Sequence, residues 1–306
     1  MPIYRNNKNY GTRVVFGSEP PTPPTPPTPT DNYFYVEDAS GSDNTLTITQ
    51  YGTYDIEVFR STNQTNWVSM GTTTRGTPLM ATVPANGRLY LKAVADKWYQ
   101  NRISVSSSYN IGGNIMSLLY GDNYTGAIFT NLNEYAFSYL FYSSTNLLNV
   151  KNLVLPENVV TACYGIMFNS CSSLITAPTL PATTLANECY NAMFGWCTSL
   201  ETAPALPATT LANQCYRGMF YECTSLTETP VLPATTLVPN CYREMFSNCL
   251  SLSTVTTYAQ DISASNCLSE WLGWVSQTGD FYNLGGATYS SGNSGIPTGW
   301  TEHTSL

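Results

Sequence analysis

Residues Leu180–Leu200 read LPATTLANECYNAMFGWCTSL, and the chain writes this phrase several times over at a step of 26 residues. Cys163-Tyr164, Cys189-Tyr190, Cys215-Tyr216 and Cys241-Tyr242 open the copies. Met167-Phe168, Met193-Phe194, Met219-Phe220 and Met245-Phe246 continue them, and Cys171, Cys197, Cys223 and Cys249 follow. The linker Leu-Pro-Ala-Thr-Thr-Leu recurs at Leu180–Leu185, Leu206–Leu211 and Leu232–Leu237. A fixed period of this length is the mark of stacked units, because one such unit cannot bury its own apolar face. Surfaces of this kind are extended, and they serve recognition more often than reaction chemistry.

Within one copy, Cys189, Met193 and Cys197 fall at i, i+4 and i+8, with Tyr190 and Phe194 as a second stripe beside them. That spacing predicts an amphipathic helix over Ala186–Cys197. Thr184 is placed to cap it, and Glu188 sits in its first turn, where the helix dipole favours an acid. Thr198–Ala203 is β-compatible with Leu200 inward, and Pro204 and Pro207 turn the chain toward the next copy. Ala136–Phe141 is a degenerate first copy and Cys267–Leu272 a last one, so six helical segments are expected, capped by atypical ends.

Helical Phe194, then Cys197, then Thr198-Ser199-Leu200, then Pro204 is the pattern of the BspA-like class of leucine-rich repeat, which residues 135–275 resemble. The resemblance implies an α/β leucine-rich-repeat solenoid. Such copies behind a small β domain, with the start Pro2-Ile3-Tyr4-Arg5-Asn6-Asn7 and the ending Ile296–Thr301, also look similar to structural proteins of phages of gut Bacteroidales, including crAss-like phages.

The remaining chain divides by composition. Residues 1–18 form a short N-terminal segment, and residues 19–30 are Pro/Thr-rich. The Pro20–Thr30 run predicts a polyproline II spacer about 30 Å long at roughly 3.1 Å per residue. A plain flexible tail is one reading of it. The other, which we follow, is an anchor peptide with a projecting arm, its docking residues being Ile3, Tyr4, Arg5, Tyr10, Val14 and Phe16. Residues 31–108 carry short alternating runs separated by turn residues, such as Thr45–Ile48 and Arg88–Ala93, and predict a small all-β sandwich. Glu57–Trp67 weakly resembles immunoglobulin-like or fibronectin-type strands, with Trp67 expected in the core. Residues 109–134 are assigned to an N-terminal cap and 276–306 to a C-terminal cap. The expected fold class is thus mixed and multidomain: anchor peptide, Pro-rich linker, β-sandwich and α/β solenoid.

Composition narrows the partners. The net charge is −8, which speaks against nucleic acid or an anionic membrane surface. No run of 18 apolar residues predicts a membrane span. The polar start predicts no secretory leader, and no lipid-attachment cysteine lies near it. All nine cysteines lie between Cys163 and Cys267 at repeat positions, as small core fillers would. Zinc is the alternative, but Cys189 and Cys197 are eight apart and the only histidine is His303, so no metal and no cofactor is expected.

Recognition should use the positions that vary between copies. These include Gly165, Asn191, Arg217 and Arg243, and beside them Gly195-Trp196 and Tyr221-Glu222. Trp196, Tyr221, Arg217 and Arg243 form the candidate binding set. An exposed aromatic pair with polar neighbours can stack on a sugar ring; the alternative is that Trp196 covers the edge of its coil. Glu201 and Glu228 are the formal candidates for a carboxylate pair, yet they lie on an open face with nothing to exclude water. No phosphate loop, Ser-His-Asp set or HExxH motif is present, and no enzyme is expected.

Two functional expectations follow. In the first, the chain is a phage virion structural protein, a head fibre or a decoration or tail-associated fibre, assembled in the host cytoplasm. It would dock on a capsid or other virion protein through residues 1–18 and face a host-surface glycan or protein with its repeats; such fibres are commonly homotrimers. In the second, it is a bacterial cell-surface adhesin.

Overall fold

The computed structural model describes residues 33–124 and 132–306. The proposed anchor residues Ile3, Tyr4, Arg5, Tyr10, Val14 and Phe16 and the Pro/Thr spacer lie outside the described residues. The strands are β1 Phe34–Asp38, β2 Asn44–Gln50, β3 Glu57–Ser61, β4 Val68–Thr72, β5 Leu79–Val83, β6 Arg88–Ala93, β7 Asn101–Val105, β8 Tyr109–Asn114, β9 Leu147–Val154, β10 Thr254–Thr257, β11 Gly279–Asn283 and β12 Trp300–His303. Helix among the described residues amounts to α1, Ser117–Tyr120, and the 3-10 turn Gly121–Asn123.

The expected mixed architecture, with its α/β leucine-rich-repeat solenoid, does not hold. Among the described residues the structure is nearly all β, with three small sheets and no closed barrel. The six-stranded sheet runs β4-β3-β6-β1-β8-β9, and a three-stranded sheet runs β5-β2-β7. Alternation explains the second: Asn44, Leu46, Ile48 and Gln50 of β2 are buried, while the residues between them are half-exposed. Leu46, Ile48, Ile103 and Val105 from this sheet share a core with Val36, Val58, Leu89 and Ile111 from the larger one. Trp98, fully buried, donates its indole N–H to the Leu118 carbonyl at 2.6 Å. Trp67 does not take the core place expected of it. It is half-exposed at the sheet edge, with the Tyr33 ring at 4.7 Å and the Lys92 ammonium 4.3 Å from its centroid.

This unit grows directly into the repeats. β9 belongs to the first coil and pairs parallel with β8. The amides of Trp98, Ile103 and Tyr109 donate to Ala136, Leu140 and Asn146 of that same coil at 2.6–3.1 Å.

The predicted helix over Ala186–Cys197 is instead a ribbon of successive turns. Asn191, Met193, Gly195 and Cys197 donate their N–H back three residues, to Glu188, Tyr190, Ala192 and Phe194, at 3.0–3.2 Å. The amides between them leave the coil. Tyr190, Ala192, Phe194 and Trp196 donate to Cys215, Arg217, Met219 and Tyr221 of the next copy at 2.6–3.0 Å. Every fourth residue is left-handed: φ is +57° at Glu188, +50° at Ala192 and +58° at Trp196. No α-helix contains such residues. The ribbon has a period of four, which is why its i, i+4, i+8 core pattern passes for a helical one.

Packing explains why the ribbon wins. Phe141, Phe168, Phe194, Phe220 and Phe246 form one column with neighbouring ring centroids 5.4–5.7 Å apart and planes within 9° of parallel. Tyr164, Tyr190, Tyr216 and Tyr242 form a second column at 5.8–6.1 Å, which Phe137 and Trp271 close at either end. Helix axes pack about 8–10 Å apart, too far for rings at equivalent positions to stack so closely. Flat coils joined by backbone hydrogen bonds lie about 4.8 Å apart, and they permit it. The cysteines complete the arrangement: the thiols of Cys197, Cys223 and Cys249 donate to the carbonyls of Phe168, Phe194 and Phe220 in the preceding copies at 3.0–3.2 Å.

On the opposite side, where short strands were expected, isolated parallel bridges link the copies, as at Asn149, Thr176 and Thr202, and at Thr184 and Thr210. At the C-terminal end β10, β11 and β12 form a parallel sheet. The Trp300 ring lies over Gly279 so closely that a Cβ there would come within 2.7 Å of it.

Candidate functional site: an aromatic and polar groove on the turn face

The four-residue period sends two side chains in and two out. The inward pairs are Cys189-Tyr190 and Met193-Phe194; the outward positions are Asn191-Ala192 and Gly195-Trp196, where Gly195 is itself covered by Asn169 and Trp196 is exposed. Stacking the copies sets Ala192, Gly218, Glu244 and Glu270 in one outward column. Trp196, Glu222, Asn248 and Trp274 form the next column, at the same step of 26. Gly218 takes the left-handed slot (φ +58°), and its lack of a side chain, with the small Ala192 beside it, leaves a depression in this face.

The depression is a groove of about 550 Å³. Trp196, Arg217 and Tyr221 line it together with Asn191, Glu244, Ser247, Asn248, Glu270 and Trp274. The Trp196 and Tyr221 rings are 4.8 Å apart at 53°, and Trp196 remains 46% exposed. Asn248 donates from Nδ2 to the Tyr221 hydroxyl at 3.1 Å, which fixes that ring. Arg217 donates to Gln214 Oε1 at 3.2 Å and lies 3.7 Å from Glu244 Oε2. Arg243 is not in the groove lining; it pairs with Glu244 Oε1 at 3.2 Å. Glu244 thus faces two guanidinium groups, and Glu270 accepts a hydrogen bond from Asn293 Nδ2 at 3.1 Å.

Trp274 is the residue that sequence reasoning missed. It is 68% exposed and lies three repeats beyond Trp196 at the same position. The signal was present in that spacing, but treating Cys267–Leu272 purely as an end cap hid it. Glu201 and Glu228, the formal carboxylate candidates, are exposed and outside the groove. A second, smaller concavity of about 350 Å³ lies among Thr176, Pro178, Thr202 and Pro204 on the threonine-rich side, walled by Pro and Ala.

Among the described residues, no cluster of His, Cys, Asp and Glu is placed to hold a metal ion, and no helix is long and apolar enough to cross a membrane. The nine cysteines are free and buried. Burial pushes the Cys163 and Cys171 thiols up to about 12, and it raises those of Cys197 and Cys223 well above the ordinary thiol range. Thiolate is the reactive form, so these groups are chemically quiet near neutral pH. Comparison of the chain with protein-family models, with curated proteins and with solved structures finds no match in any of the three.

Proposed function

We propose that this chain acts by binding: it displays the groove lined by Trp196, Tyr221 and Arg217 toward a glycan of a host cell surface, as the exposed part of a phage head fibre or decoration protein. The observation that carries the binding reading is the pair of exposed Trp196 and half-buried Tyr221, set beside the small residues Ala192 and Gly218 and ringed by Asn, Ser, Arg and Glu side chains. Flat aromatic faces accept the C–H face of a sugar ring, and the surrounding polar groups accept and donate to its hydroxyls. Residues 1–18 serve as the docking peptide and the Pro/Thr run as the spacer. The resemblance to phage structural proteins supports this part of the reading.

Binding of the labelled full chain to arrayed glycans is the test of recognition. Trp196→Ala and Tyr221→Ala are each expected to weaken the strongest signals by tenfold or more, equivalent to about 1.4 kcal/mol. Unchanged binding by both variants would remove the groove from the account. Mass spectrometry of purified phage particles tests the setting. Recovery of the chain with the particles is expected, whereas recovery only from the bacterial envelope would make it a cell-surface adhesin.

A further inference from the structure

The groove has two aromatic ends, not one. Trp196 and Trp274 occupy the same repeat position and both line it. Three coil steps of about 4.8 Å separate them, so the two indoles stand about 14 Å apart along the stack, a span of about three sugar rings. Between them Gly218 leaves the floor without a side chain, and the walls offer Asn248, Ser247, Glu244 and Glu270. The lining mixes polar and apolar groups, unlike the apolar pocket that seats a peptide's anchor side chain.

Charge narrows the class further. The single cation lining the groove, Arg217, lies 3.7 Å from Glu244, and the second guanidinium nearby, Arg243, is 3.2 Å from that carboxylate. Glu270 adds another negative charge, bonded to a neutral amide. The lining therefore carries two carboxylates against one guanidinium, on a chain of net charge −8. With Arg243 counted at the rim, two carboxylates stand with two guanidinium groups, so the groove has no surplus cation to hold a ligand carboxylate or sulfate, while its carboxylates accept well from sugar hydroxyls.

From these observations, and resting on the glycan-binding reading above, we infer that the ligand is a neutral linear oligosaccharide. It lies along the stack axis with Trp196 and Trp274 as its two end platforms, and anionic glycans are excluded.

Calorimetric titration of the full chain tests this with neutral cello-, manno- and chito-oligosaccharides from disaccharide to hexasaccharide, and with oligogalacturonides of the same lengths. Affinity for one neutral series is expected to climb up to the tetrasaccharide and then level off. Trp274→Ala is expected to abolish that climb, lowering tetrasaccharide affinity about tenfold while leaving disaccharide affinity intact. Trp274→Phe is expected to restore most of it. If Trp196→Ala weakens binding but Trp274→Ala does not, or if affinity ignores length, the extended site is overturned and the glycan reading survives. Tighter binding of oligogalacturonides overturns neutrality alone. No binding of any glycan, or capture of peptides only, overturns both readings.

Discussion

Phe194 and Tyr190 show what a single position does in this chain. Each stacks on its counterparts in the copies before and after, so a residue repeated every 26 positions becomes a continuous column. The buried role of these residues and of the cysteines was legible, because apolar groups at fixed spacing must face a common core. The hydrogen bond from each thiol to a phenylalanine carbonyl was not, because it depends on which backbone groups the coils leave over. The buried thiols also set a pH dependence. Burial raises Cys163 and Cys171 from the ordinary thiol value of 9.0 to about 12, and it raises Tyr190 and Tyr216 well above theirs. The unfolded chain therefore loses these protons first. Their contribution is fully present below about pH 9 and is lost as pH rises toward 12. Denaturant midpoints should be insensitive to these groups between about pH 7 and pH 8.5 and should fall steeply above about pH 9.5. A midpoint still level at about pH 10.5 would contradict the burial assigned to them.

At the scale of the element, the Ala186–Cys197 ribbon separates what a period can say from what it cannot. Repeats at i, i+4 and i+8 fix which side chains go inward, and that inward set is Cys189, Tyr190, Met193, Phe194 and Cys197 as read. They do not fix the backbone. A turn ribbon with period four and a helix with period 3.6 differ by too little over three turns for the pattern to separate them. The deciding quantity is the distance between copies, which no single copy contains. Strands fared differently: Arg88–Ala93 keeps the bounds read from alternation and Thr45–Ile48 lies within β2, while β7 and β8 were missed. Glu188→Gly tests the ribbon. At φ +57° glycine relieves a left-handed conformation, so the variant should gain about 0.5–1 kcal/mol in chemical denaturation. In a helix the same change would cost about 1 kcal/mol, and that loss would argue for the helix.

At the scale of the whole molecule, an antiparallel β-sheet unit passes into the coils through the parallel β8–β9 pair, and the closing sheet carries parallel pairing on from β10 to β11. Stacking is what turns separate outward residues into a surface. Trp196 and Tyr221 could be picked out from the sequence because they are large residues at variable positions. Their closeness to Trp274, and the exclusion of Arg243 from the groove, depend on how copies align in space.

The indole N–H signals of the full chain, followed by NMR during titration with the tightest-binding neutral glycan, give the most direct test of the central claim. Trp67, Trp98, Trp271 and Trp300 donate their indole N–H to backbone carbonyls at 2.6–3.2 Å, away from the groove, and should stay in place. The signals of Trp196 and Trp274 should shift together and saturate at the same ligand concentration. Saturation that leaves both unmoved while another indole shifts would place binding elsewhere and contradict the account.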